Sequence, residues 1–458
     1  MLDDLPWKNA KEAAALEALF VAHLLVPLVA GVSDPVEKCR ELSLSLLKAC
    51  FGIASASLSG EVVLRVVRCL CERVGEVPFL EPTEELRLQV LELVALVLAH
   101  PASAATTPQI ADLALAALAK ALTDTFPSAK RAGAELVCKL AERVPRSVQM
   151  AFKSLLKPLA GNATHQHSKT RSITVQAIGL GLSCVVAGDY EALMKDPVLP
   201  LLARMAGDRS GATRKELAGM CRTLLCHRLS ALGRGAIEAT LPAPDTTISS
   251  GRNSNSSSSS GAGEKAANWM AAGFGAGSGL DSPSAGADVQ LSALLLVLVG
   301  DESEEVAVFA RGCLDDAAAV WAAAAPHVPG PPGDDMEVEN GELALRNAAA
   351  HDDDSAVAMS IMHGTGAAAR TGSDARGFVR AYLRPVAKVV AEGATEWTTD
   401  VRRRNLRGLE ALIRLAGPAV EAIVPQVRVP GRGAACASLI KLHHVMYPPR
   451  APVSCWRA

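Results

Sequence analysis

The 458-residue chain predicts an all-α fold, a HEAT or armadillo array of stacked antiparallel helix pairs. Three observations predict it. An acidic residue followed six positions later by a cation recurs at Asp34/Arg40, Glu81/Arg87, Asp124/Lys130, Asp208/Arg214 and Glu396/Arg402. Apolar residues on both sides of each such pair fall at helical spacing, with almost no strand-like alternation. Landmarks at 34, 81, 124, 162 and 208 are 38–47 residues apart, which brackets the roughly 40–47-residue HEAT and armadillo periods and exceeds the ankyrin and tetratricopeptide ones.

One helix pair cannot bury its apolar faces alone, so it stacks on its neighbours and shares a continuous core. The acidic residue sits in the turn between paired helices, where its side chain can accept from the free N–H groups that open the second helix. In the copy from Leu155 to Gly179, Asn162 takes the acidic position, with Lys169 and Arg171 slightly displaced. The cation can pair with the acid of its own or the adjacent repeat. A structural ladder is the default reading, and an exposed basic ridge facing an acidic partner is the rival one.

In order, residues 11–30 form the first helix through Leu16, Leu19, Phe20, Leu24 and Leu28, and 36–54 form its partner. The second pair is Val62–Val74 with Leu86–Leu98, and the third Ile110–Leu122 with Lys130–Arg143. The fourth is 148–160 with 171–187, and the fifth Val198–Met205 with Arg214–Leu229. Pro27, Pro158 and Pro385 each fall late in a first helix and predict a kink there. Residues 10–240 thus make an array of five pairs. Residues 241–290, rich in Ser, Gly and Asn, cannot bury enough to offset their ordering entropy and read as a disordered insertion; Trp269, Met270 and Phe274 are an apolar island in it. A helix pair returns at 291–325, with Asp301 in its turn and Ala307 where the cation belongs. An acidic flexible insertion follows at 326–372, with a short helix around Glu342 to Ala350, then a final pair at 373–425 and an irregular tail at 426–458.

Net charge is −2, which offers no global attraction to nucleic acid or to membrane phosphates. The 11 cysteines include no C-x-x-C pair and read as reduced, buried thiols of a cytosolic protein. The longest apolar run, Leu16 to Val32, contains Glu17, His23 and Pro27 and is too polar to span a bilayer. The chain therefore reads as soluble, with neither nucleic acid nor membrane as a partner.

No catalytic constellation appears, and no cofactor or metal is expected. His165 and His167 lie in a turn without nearby Cys or carboxylate ligands and read as solvated or turn-bonding. Gly261 to Lys265 lacks the spacing of a phosphate loop. Lys169 and Arg171 are candidate protein-binding cations. Trp397 beside Arg402, Arg403 and Arg404 could dock an acidic surface through apolar area plus charge, or Trp397 could pack onto the next repeat.

The runs T-H-Q-H-S-K-T-R (Thr164 to Arg171), A-I-G (Ala177 to Gly179), S-D-P-V-E-K-C-R (Ser33 to Arg40) and the loosely spaced E-W-x-x-x-V-R (from Glu396 to Arg402) resemble the HEAT-repeat family of axonemal dynein preassembly factors, the dynein axonemal assembly factor 5 family. The resemblance covers the ordered parts of 10–425, about the N-terminal half of a family member. It implies a non-enzymatic cytoplasmic scaffold for dynein-arm preassembly, serving the cilium or flagellum. The implied partners are axonemal dynein chains, other assembly factors and chaperones. A tubulin-binding array of the TOG kind is the alternative, resting on Trp397 and Arg402–Arg404.

Overall fold

The computed structural model describes residues 18–53, 58–240, 286–323, 373–394 and 398–422. Every regular element among them is helical. They divide into two compact units, Met1–Met220 and Cys221–Ala458. Trp397, Glu396, the apolar island at 269–274, the 326–372 insertion and the 426–458 tail lie outside the described residues.

In the first unit, a π-helical turn (Phe20–Leu24) leads into α1 (Leu25–Gly31), followed by α2 (Glu37–Ile53). Then come α3 (Gly60–Val74), α4 (Glu84–Ala99), a 3-10 turn (Pro101–Thr106), α5 (Thr107–Ala121), α6 (Pro127–Arg143), α7 (Pro145–Asn162) and α8 (Ser168–Ser183). The last pair opens with α9 (Ala187–Leu193), a π-helical turn (Met194–Val198) and α10 (Leu199–Met205). Helix α11 (Gly211–Thr240) completes it and crosses the boundary between the units.

The stacking follows from the apolar stripes. First helices lie on first helices, α3 on α5 and α5 on α7, while second helices lie on second helices, α2 on α4, α4 on α6 and α6 on α8. Each helix turns its stripe into the shared space between these two layers: Val63, Val66, Val67 and Leu70 from α3, Val90, Val94 and Val97 from α4, and Leu136, Val137 and Leu140 from α6 are all essentially buried. Large apolar stripes without wide aromatic content allow close layers. At α8 the approach is tightest, for a Cβ on Gly181 would lie 2.0 Å from Cε2 of the fully buried Phe152 in α7.

The prolines behave unequally. Pro27 follows the π-helical turn by three residues, and Leu25 N–H reaches back five residues to the Phe20 carbonyl. Proline supplies no N–H for a four-residue bond, so the helix is rewound there. Pro385 likewise follows a break at Tyr382. Pro158, in contrast, is accommodated inside an uninterrupted α7.

In the second unit, α12 (Ala287–Val299) packs against α13 (Glu304–Ala323), and the chain returns as α14 (Ser373–Ala381), α15 (Leu383–Ala394), α16 (Thr399–Ala416) and a 3-10 turn (Gly417–Ala422). Helix α12 touches α13, α15 and α16 and is buried from Ala287 to Leu298, as a helix that is apolar all round must be. It begins four residues before the Leu291 expected from composition. The reason is an ion pair: Arg228 Nε lies 2.9 Å from Asp288 Oδ1, which draws Asp288 to Gln290 into the packed helix. At its end, Gly300 abuts the backbone of Arg407, with a Cβ there 2.6 Å from a carbonyl carbon.

Candidate functional site

The turns between paired helices share one construction in the first unit. An acceptor side chain takes the backbone N–H two residues on: Asp34 from Val36 (2.8 Å), Glu81 from Thr83 (3.1 Å), Asp124 from Phe126 (2.9 Å) and Asp208 from Ser210 (2.8 Å). This is the local bond that makes Asp a turn residue. Six residues on, an arginine in the first turn of the second helix folds back. Arg40 Nη1 donates to the carbonyls of Asp34 and Pro35, Arg87 Nη1 to those of Glu81 and Pro82, and Arg214 Nη1 to that of Asp208.

The other edge of the guanidinium reaches the following repeat. Arg40 grips Glu81 with Nε at 2.8 Å and Nη2 at 2.9 Å. Arg87 grips Asp124 at 2.6 and 2.9 Å, and Arg171 grips Asp208 at 2.6 and 2.7 Å. The planar fork of arginine suits both tasks at once, since its donors diverge in one rigid plane. Arg73 adds a second cation on Glu81, Nη2 at 3.1 Å. The cation thus pairs forward, with the adjacent repeat rather than its own acid.

The first two pairs are buried, Arg40 being 5% exposed and Glu81 1%, and the Arg171–Asp208 pair is partly buried. Burial alone would raise the Glu81 carboxyl; the hydrogen bonds from Arg40, Arg73 and the Thr83 N–H outweigh it and hold the group below its ordinary value. Asp124 and Asp208 are lowered in the same way, burial being outweighed chiefly by Arg87 and Arg171 respectively. A carboxyl depressed in the folded state binds fewer protons there than in the unfolded chain. Its stabilisation is therefore complete above the ordinary carboxylate range of about 4 and is lost as pH falls through the folded values. Thermal melts from pH 7 to pH 3 should show Tm falling below about pH 4, and less steeply in Asp124→Asn than in the native chain.

The fourth turn corrects the sequence reading. Asn162 does not hold the acidic position. It ends α7, is buried, and its Nδ2 donates 2.8 Å back to the Leu122 carbonyl, which caps the first helix of the preceding pair. The acceptor is His165: its Nδ1 takes the His167 N–H at 3.1 Å, and Arg171 Nη1 donates to the His165 and Gln166 carbonyls at 2.7 and 2.9 Å. His165 is six residues before Arg171, so nothing is displaced. Successive acceptors 34, 81, 124, 165 and 208 then stand 47, 43, 41 and 43 residues apart. Its imidazole is held below the ordinary histidine value by burial first, then by the charges of Lys130, His167 and Arg171.

Of the candidate protein-binding residues, Arg171 is committed to Asp208 and to its own turn, whereas Lys169 is exposed and makes no ion pair among the described residues. Arg402 is exposed, Arg403 approaches Asp400 at 4.0 Å, and Arg404 Nε donates to the Asp400 carbonyl at 3.2 Å. The cysteines are not uniformly buried. Cys39 is exposed, while burial pushes the Cys71 and Cys138 thiols up to about 12. Among the described residues no group of three or more His, Cys, Asp and Glu is placed to hold a metal, and no single helix is long and apolar enough to cross a membrane.

Residues 4–227 match the sequence profile of a family described as dynein axonemal assembly factor 5-like, TPR repeats. Dynein axonemal assembly factor 5 of Xenopus laevis is 32% identical over 167 residues, 36% of this chain and 19% of its own length. The Homo sapiens protein of that name is 35% identical over 213 residues, 45% of this chain and 24% of its own. The matched stretch thus spans about a quarter or less of these relatives. A designed armadillo repeat protein in complex with the peptide (KR)4 is similar over 65% of this chain and 99% of its own, at a TM-score of 0.41 and 14% identity. The profile's wording names tetratricopeptide repeats, yet acceptor spacings of 41–47 residues exceed that period of about 34 and suit HEAT and armadillo pairs. The match runs through all five acceptor turns, from Asp34 to Asp208, so the N-terminal part of this chain is similar to the dynein axonemal assembly factor 5-like repeat family.

Proposed function

We propose that this chain is a non-catalytic scaffold that helps axonemal dynein arms assemble in the cytoplasm, holding dynein chains, chaperones or fellow assembly factors by surface complementarity. The observation that carries this reading is the family match over residues 4–227. The ladder supports it chemically. Its strong groups are spent on one another inside the stack, so they fix the spacing of the turns and leave exposed cations such as Lys169 and Arg402 available to partners. Such a surface binds by charge and shape, with no bond made or broken.

Affinity purification of the intact chain from cells regrowing cilia, read by quantitative mass spectrometry, tests this. Dynein chains or known assembly factors should be enriched over a control bait. Recovery of neither would remove the proposed role and leave the repeat architecture untouched. Lys169→Glu and Arg402→Glu are expected to reduce that enrichment severalfold without changing Tm, because neither side chain makes an ion pair among the described residues.

A further inference from the structure

The ladder has one irregular rung, and it is irregular on both sides. Where Arg40, Arg87 and Arg171 reach forward onto Glu81, Asp124 and Asp208, the equivalent cation after Asp124 is Lys130. Its backbone confirms the register, for the Lys130 N–H bonds the Phe126 carbonyl just as the Arg40 N–H bonds that of Val36. The acceptor facing it in the next turn is His165. A lysine opposite an imidazole forms no ion pair, and Lys130 makes none within 4 Å among the described residues, although its charge acts on His165. His167 stacks beside His165 with ring centroids 5.2 Å apart, and exposed Lys169 follows two residues later. Lys130, His165 and His167 thus meet at this junction, with Lys169 at the start of α8. Arg171, the remaining cation of the turn, is neutralised by Asp208.

At each of the other three junctions the place between the two turns holds a carboxylate. We propose that the junction between Lys130 and His165 is a recognition site for an acidic polypeptide, with a Glu or Asp carboxylate of the partner pairing with the lysine that no carboxylate of the ladder meets. The charge is complementary, for Lys130 stands where the other junctions set a cation against a carboxylate and meets an uncharged acceptor instead. Lysine suits an exchangeable anion better than arginine does. Its ammonium is a flexible point charge, whereas the guanidinium fork would be locked by its own turn. The site depends on the ladder alone and stands whichever assembly the chain serves.

The test uses the full-length chain and a fluorescein-labelled decaglutamate peptide, followed by anisotropy at low ionic strength, with decaglutamine as the uncharged control. The native chain should bind the first and not the second. His165→Asp supplies the missing carboxylate internally, so it should weaken decaglutamate binding at least tenfold while raising Tm. Lys130→Gln should weaken binding severalfold, and Lys139→Gln, an exposed lysine on the same helix with equal loss of charge, should not. Three results each overturn the proposal: no binding of decaglutamate by the native chain, binding unaffected by His165→Asp, or equal losses from Lys130→Gln and Lys139→Gln. A lowered Tm in His165→Asp would instead refute the register from which the site is built.

Discussion

Glu81→Ala is expected to destabilise the first unit by about 3–5 kcal/mol, the cost of leaving a buried ion pair without one partner. Two guanidiniums lose their acceptor together, because Arg40 holds Glu81 through two bonds and Arg73 through a third. The Thr83 N–H loses its acceptor as well. Guanidinium denaturation of the native chain and the variant measures the loss, and hydrogen exchange locates it in α2 to α4. Removing the charges on both sides is a different experiment. Arg40→Met with Glu81→Leu is expected to recover part of the loss, since a buried pair replaced by apolar groups of similar volume is often close to neutral, while Arg73 and the Thr83 N–H still lack their acceptor. If the double variant were as unstable as Glu81→Ala alone, the loss would not come from the stranded charge of Arg40.

Gly181→Ala is the second large effect, expected at about 1–3 kcal/mol as overpacking. The added methyl meets the ring of Phe152 at 2.0 Å, inside any van der Waals separation, and the ring is fully buried in α7 with no space to retreat. Phe152→Ala alone should cost about 3–5 kcal/mol through the cavity it opens. Combining the two should cost clearly less than their sum, because the methyl then enters the space the ring has vacated. Strict additivity in denaturation midpoints would show that the two residues do not share that space.

The helix pairs were legible in the sequence because a buried stripe at 3.6-residue spacing and a charged turn are both local patterns. Leu86 to Leu98 and Lys130 to Arg143 lie inside α4 and α6. The six-residue offset from Asp34 to Arg40 was visible for the same reason. It encodes a contact inside one turn, the bond from Arg40 to the Asp34 carbonyl. What the offset does not encode is the forward reach from Arg40 to Glu81, since partners 41 residues apart meet only when the repeats stack. His165 is invisible to a pattern of acidic residues, whereas the turn requires only an acceptor two residues before an N–H; a neutral imidazole nitrogen serves. Asn162 is an amide near the right place, but its work is to tie α7 back to Leu122. The six-residue step back from Arg171 carried the information needed to choose between them.

Because Arg40, Arg87 and Arg171 each close their own turn with one edge and reach toward the C-terminus with the other, their joints are polar and interchangeable, like couplings between railway carriages. Excising residues 41–87 would bring Arg40 into the place of Arg87, facing Asp124 with the same fork. A chain built this way can lose or gain a whole module in evolution without redesigning the connection on either side.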